Sequence, residues 1–246
     1  MDWSHTEMKA LSTETDGSLL GTLLDATKGQ STIILDQLPE RVKNPEWLKS
    51  MENAGVFKPL PNQQWLFSGT AKVQIAMQAI RLGQPERKIL DSLTWQEFEE
   101  FVSAIFDRHG FFIHHRYRFT ISRKYEIDVI ASRKPVLFFV DCKHYGIRKG
   151  KSSVLRNAVE DQLERTKVLA THFAAHQAKL NCLKWDKVIL LPLLVTMLHE
   201  DLIYHEKIPI VPAAKLNAFI LDYHKALDEL RIVYPSSTRQ HTLEEA

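Results

Sequence analysis

Tyr125-Glu126-Ile127-Asp128-Val129-Ile130-Ala131, a break over Ser132 to Pro135, and then Val136-Leu137-Phe138-Phe139-Val140-Asp141-Cys142-Lys143 form the stretch on which the reading turns. Both runs are rich in β-branched and aromatic residues and the break carries turn chemistry, which predicts two neighbouring strands of one hairpin. The second run is almost wholly apolar until Asp141 and Lys143, as expected of a central strand whose end emerges into a cleft. Side chains alternate along a strand, so Glu126 and Asp128 share one face of the first, and Asp141 and Lys143 one face of the second. In either register Asp128 lies opposite Asp141 or one diagonal step away, within reach of a common cation.

Basic residues flank this hairpin. Between Asp107 and Glu126 stand Arg108, Arg116, Arg118, Arg123 and Lys124 with no acid among them. Between Asp141 and Glu160 stand Lys143, Arg148, Lys149, Lys151 and Arg156, again with none. A polyanion gains most from this layout, and two solvated loops are the alternative. Over the whole chain the formal charge is only +2, with 44% hydrophobic and 25% charged residues, the balance of an ordinary soluble globular protein. The longest apolar run, Val188 to Leu198, contains Pro192 and is too short to span a bilayer, and no basic-then-apolar segment opens the chain. With only Cys142 and Cys182, neither a disulfide framework nor a four-cysteine zinc site is available, which suits a reducing, cytoplasmic setting.

At 246 residues the chain has room for two domains, and Gly83-Gln84-Pro85 predicts a division into 1–84 and 85–246. In the first part, Leu19, Leu20, Leu23 and Leu24 give a helix from Ser18 to Lys28-Gly29. Ser31 can cap a second helix over Ile33 to Leu38, and Asn44-Pro45 starts a third that stops at Gly55. A hairpin over Val56 to Phe67, turning at Pro61-Asn62, and a fourth helix from Thr70 to Leu82 follow. This order resembles a winged helix-turn-helix over Ser18 to Leu82, a module that binds DNA by a helix in the major groove or serves as a protein-interaction piece. The third helix offers a mixed polar side of Glu46, Lys49, Ser50 and Glu52.

The second part opens on a capping box, Thr94-x-x-Glu97, with Leu93 and Phe98 placed as its hydrophobic staple. Trp95, Phe98, Phe101, Val102, Ile105 and Phe106 form the apolar stripe of the helix. Glu99 falls at the margin of that stripe while Glu100 points to solvent, so Glu99 is the candidate acid, because a carboxylate beside a buried face calls for a cation. Downstream come a strand at Phe111 to Ile113, the hairpin, and a helix from Ser152 or Ser153 carrying Gln162 and Arg165. A helical stretch over Thr171 to Leu180, strands at Lys187 to Leu198 and Ile208 to Val211, and a helix from Lys215 to Leu230 complete an α/β fold with a mixed sheet.

A helix carboxylate, a strand aspartate and Asp-x-Lys on the next strand are the arrangement of the PD-(D/E)xK nucleases. Phe98-Glu99-Glu100-Phe101-Val102, Gly110, Ile127-Asp128-Val129-Ile130-Ala131 and Val140-Asp141-Cys142-Lys143-His144-Tyr145 together resemble the Mrr-like restriction endonucleases and, more distantly, archaeal Holliday-junction resolvases. The tripeptide alone is weak, for it recurs at Glu7-Met8-Lys9 and Glu86-Arg87-Lys88. The resemblance implies a restriction-endonuclease-like α/β/α core and a metal-dependent DNA endonuclease. Asp128, Asp141, the carbonyl of Cys142 and Glu99 would serve Mg²⁺ or Mn²⁺, and Lys143 would hold the attacking water and offset charge. Arg116, Arg118, Arg123, Lys124, Arg148, Lys149 and Lys151 are the expected DNA contacts. Glu126 is an extra ligand or an arginine's partner, and Gln162 matches a family position but is read as solvated. His114, His115 and His144 have no assigned role, since the family manages without histidine. Cutting both strands with one site per chain would call for a homodimer. The alternative is a DNA-binding or scaffold protein that kept the nuclease fold without turnover.

Overall fold

The computed structural model describes residues 14–53, 56–62, 64–67, 69–144 and 151–236, the side chains of 14, 15 and 151 excepted. Residues 1–13, the helix stop at Gly55, Tyr145 and residues 237–246 lie outside them. The chain divides into two compact units, one ending at Phe101 and the other starting at Val102.

In the first unit, α1 (Glu14–Ala26), α2 (Pro45–Asn53) and α3 (Gly69–Arg81) surround a small antiparallel sheet of β1 (Thr32–Ile34), β2 (Phe57–Leu60) and β3 (Gln64–Phe67) in the order β1-β3-β2. The segment expected to be a second helix is instead β1 followed by two short 3-10 turns, Leu35–Gln37 and Glu40–Val42. Six residues are too few to hold a helix against the pairing on offer, and Ile33 is 3% exposed opposite Trp65. The Asn44 side chain caps α2 by accepting from Trp47 N–H at 3.0 Å. Lys72 on α3 is 2% exposed, donating to the Thr27 carbonyl at 2.7 Å and pairing with Glu97 Oε1 at 3.0 Å.

After α4 (Glu86–Asp91), α5 (Trp95–Arg108) begins at the predicted capping box: Thr94 N–H donates to Glu97 Oε2 at 2.7 Å and Glu97 N–H to Thr94 Oγ1 at 3.3 Å. Trp95 is 53% exposed and so leaves the apolar stripe it was assigned to, while Glu100, expected in solvent, is half-buried against Gly69. Both departures lie in the first turns of α5, where the neighbours are the first unit's own elements. Gly110, at φ +74°, ends the helix in a left-handed turn with Phe111 N–H bonded back to the Phe106 carbonyl at 3.2 Å.

The second unit is built on a six-stranded mixed sheet of order β4-β5-β6-β7-β9-β8, with β4 Phe112–Thr120, β5 Lys124–Arg133, β6 Val136–Lys143, β7 Ile189–Thr196, β8 Tyr204–His205 and β9 Ile208–Pro212. β4 to β6 are antiparallel; β7 runs parallel to β6 and β9 parallel to β7. The parallel step between β6 and β7 is made by α6 (Lys151–Thr171), which packs Leu169 and Ala170 with Phe173 against Ile127, Ile130, Leu137, Phe139 and Leu190. On the other face Phe138 meets Phe106, Phe111, Phe219 and Tyr223 at ring distances of 4.9–6.1 Å. The last predicted helix is shorter: α7 is Ala213–Asp222, and a 3-10 stretch over Tyr223–Glu229 buries Tyr223 against Phe138. The stretch after Thr171 holds only a 3-10 turn, Phe173–Ala175.

Cys182 is 1% exposed in the core and its thiol is pushed up to about 11 by burial. Iodoacetamide at mildly alkaline pH is therefore expected to leave Cys182 unlabelled in the native protein and to label it in urea, as peptide mass spectrometry reads out; native labelling would contradict the packing.

Candidate active site

The β5–β6 ladder has Val129 opposite Val140 as its last pair, and the next position in register brings Asp128 to Asp141. The backbone does not continue the ladder there. Instead Asp128 Oδ2 accepts the Cys142 N–H at 2.7 Å, so a side chain substitutes for the strand partner and fixes one carboxylate beside the other. Alternation is interrupted at the same place. Ile127 and Ile130, which a regular strand would send to opposite faces, belong to one buried cluster, and Arg116, whose β4 neighbours His115 and Tyr117 pair with Val129 and Ile127, has φ +46°. Irregularities of this kind re-aim side chains at a sheet's functional end.

Asp141 is 2% exposed and meets two cations. Lys143 Nζ lies 2.6 Å from Oδ2, a contact of opposite charges without hydrogen-bond geometry, and Arg165 Nη1 donates to Oδ1 at 2.8 Å. Arg165 also donates to Gln162 Oε1 at 3.2 Å, and Gln162 Nε2 donates to the Phe139 carbonyl at 2.7 Å. Gln162 is thus 0% exposed, against the expectation of a solvated residue. It fastens α6 to β6 and orients Arg165, because a buried amide on a helix against a strand must find backbone partners.

A cleft of about 410 Å³ joins Lys124, Glu126, Asp128, Asp141 and Lys143 of the hairpin to Asp161 and Arg165 of α6. The sequence places Arg165 on this helix without a site role and does not single out Asp161; the signal for both was helical spacing, since Arg165 lies one turn beyond Asp161 and Gln162. Glu126 resolves as the partner of Arg118, at 2.7 Å. Arg123 pairs with Glu164 at 2.7 Å and lies 4.9 Å over the Tyr125 ring. Arg116 is half-buried and Lys124 exposed. Arg148 and Lys149 lie outside the described residues, as does the side chain of Lys151, whose backbone opens α6. Glu99 is 6% exposed, on the part of α5 that belongs to the first unit. Burial first, then the neighbouring His115, Arg116 and Lys179 respectively, hold His114, His115 and His176 below the usual imidazole range. They are neutral at pH 7 and supply no standing charge.

Among the described residues no three His, Cys, Asp or Glu side chains cluster closely enough to hold a metal ion. Two carboxylates with the Cys142 carbonyl are nevertheless a hard-oxygen set that suits Mg²⁺, which keeps several waters and takes one or two carboxylates. Asp141 Oδ2, buried and without a hydrogen bond, has a lone pair to give.

A family model described as a restriction endonuclease, Mrr_cat, matches residues 90–182. An uncharacterized protein of Archaeoglobus fulgidus is 30% identical over 138 residues, 56% of this chain and 97% of that protein. Among solved structures, a Vibrio cholerae protein is similar over 91% of this chain and 55% of its own, at 13% identity and a TM-score of 0.33. Can2 from Sulfobacillus thermosulfidooxidans, solved in complex with cyclic tetra-adenylate, is similar over 90% of this chain and 56% of its own, at 12% identity and a TM-score of 0.37. The chain spans little more than half the length of those two solved chains. Among the described residues no helix is long and apolar enough to cross a membrane.

Proposed function

Since the chain belongs to the PD-(D/E)xK nuclease superfamily, through an Mrr-type restriction-endonuclease domain over residues 90–182, we propose that it is a metal-dependent endonuclease hydrolysing DNA phosphodiester bonds. The observation that carries the reading is the buried Asp141, with an oxygen free of hydrogen bonds, fixed beside Asp128 and flanked by Lys143 and Arg165 in one cleft. Asp128, Asp141 and the Cys142 carbonyl would hold Mg²⁺ or Mn²⁺, which supplies a polarised phosphate and a bound water of lowered pKa. Lys143 holds the attacking water and offsets charge that grows on the phosphate, an effect strengthened by its half-buried setting. Arg165, fixed by Gln162, offers a second cation to the same phosphate. Asp128 is kept in place by the Cys142 N–H rather than by a mobile partner, so the donor set is preorganised before DNA arrives. Glu99 keeps the role that the resemblance implies, read out by Glu99→Gln. Residues 1–84 would be a winged-helix-like module that places the nuclease on DNA, a reading supported by the order of α1, β1, α2, β2, β3 and the β1-β3-β2 sheet. Two-strand cutting would proceed in a homodimer.

One observation favours a second reading: Asp141 already has two cations, so the cluster is self-neutralised in the manner of a DNA-binding scaffold that lost turnover. Calorimetric titration with Mn²⁺, followed by incubation with linear, methylated and branched DNA in Mg²⁺ or Mn²⁺, separates the two. Metal uptake and metal-dependent products are expected; salt-sensitive DNA binding without metal uptake or products would establish the scaffold instead.

A further inference from the structure

The edge strand β4 carries a row of rings that the chemistry above leaves unused. Phe112 and His114, two residues apart on one face, have ring centroids 4.9 Å apart. Regular alternation would send Tyr117 to the opposite face. The left-handed turn at Arg116 brings it back, so Tyr117 lies 5.9 Å from His114. From there the row runs to His176, whose Nδ1 is 2.7 Å from the Tyr117 hydroxyl, and to Phe119 at 6.3 Å. It ends where Phe119 stacks on Tyr125 at 5.1 Å, their planes 12° apart. Phe112 is 50% exposed, His114, Tyr117 and His176 are half-buried, and Phe119 and Tyr125 close the core beneath.

Beside the inner end a cleft of about 750 Å³ is bordered by Arg118, Thr120, Lys124, His176 and Lys179, and it shares Lys124, Tyr125 and Glu126 with the acid cleft. Among the described residues no carboxylate pairs with Lys124 or Lys179. His176, held neutral by burial and by Lys179, offers a ring rather than a charge.

A row of rings leading to unpaired cations is the chemistry of single-strand binding: bases stack on the rings whatever their identity, and phosphates meet the cations. A continuous duplex keeps its base faces stacked on one another and gains little from such a row. We propose that β4 is a track for single-stranded DNA, leading an unpaired segment past Lys179 and Lys124 to Asp128 and Asp141. The preferred substrate of the nuclease proposed above, on which this inference rests, is then DNA with an unpaired segment, such as a flap, fork or gap.

The test is fluorescence anisotropy with the full chain in EDTA, comparing labelled oligothymidylate with a blunt duplex of equal length. The single strand is expected to bind about tenfold more tightly. Phe112→Ala and Lys179→Ala, both at exposed positions and checked by melting temperature, are each expected to weaken single-strand binding about tenfold while duplex binding stays at the parental value. Equal affinity for the two DNAs, or parental single-strand binding by both variants, overturns the track. An oligouridylate bound as tightly as the DNA overturns the choice of DNA. Because binding is read without metal, the two failures separate. Single-strand binding without cleavage of any DNA in Mg²⁺ refutes the nuclease and keeps the track, whereas blunt duplex cut as fast as a fork keeps the nuclease and refutes the track.

Discussion

Asp141→Asn is expected to lower metal-dependent DNA cleavage about a thousandfold, and Lys143→Ala by a similar factor, with both proteins still folded. The two losses have different causes and can be told apart. Asparagine removes the carboxylate that would hold the ion, so Mn²⁺ uptake in the calorimeter goes with the activity. Alanine at 143 removes a cation that lies 2.6 Å from Asp141, so the metal still binds while turnover fails. Folding survives because Lys143 and Arg165 are both within reach of water, with side chains 17% and 23% exposed, and can re-solvate when their partner is neutralised. Parental cleavage rates in both variants would end the nuclease reading.

Lys72→Ala is expected to destabilise the first unit by about 3–5 kcal/mol, the cost of breaking a buried ion pair from one side. The ammonium has almost no contact with water, and it satisfies both the Thr27 carbonyl and Glu97 Oε1 while lying 5.6 Å over the Phe67 ring. Without it Glu97 keeps only its capping bonds to Thr94. Combining Lys72→Met with Glu97→Gln is expected to return most of the loss, since no uncompensated charge is then buried. Urea unfolding followed by tryptophan fluorescence reads both; a change below about 1 kcal/mol in the single variant would show that the pair contributes nothing.

From α5 onward the fold was largely legible in the sequence because its signals are local and mutually consistent. The capping box at Thr94 formed the bonds it advertises, and the apolar run Val136 to Val140 became a central strand. Ser31 misled because it stands where a cap would, while Ile33 is claimed by the β3 strand, a non-local partner that propensity does not see. Gln162 and Arg165 were visible as helix residues but not as site residues, because what gives them their role is the parallel return of the chain that lays α6 over β6. Trp95 looked like core because the stripe was counted around the helix, and the count says nothing of where the covering elements stop.

The parallel run of β6, β7 and β9 sets Lys143, Thr196 and Pro212 side by side. All three strands therefore finish at the same margin of the sheet as Asp141. Leu198 to Asp201, which follow β7, lie outside the ladder, so those positions can be rewritten without breaking a pair of β6, β7 or β9 and the carboxylates stay where they are. Diversity and chemical constancy are thereby assigned to different parts of the polypeptide.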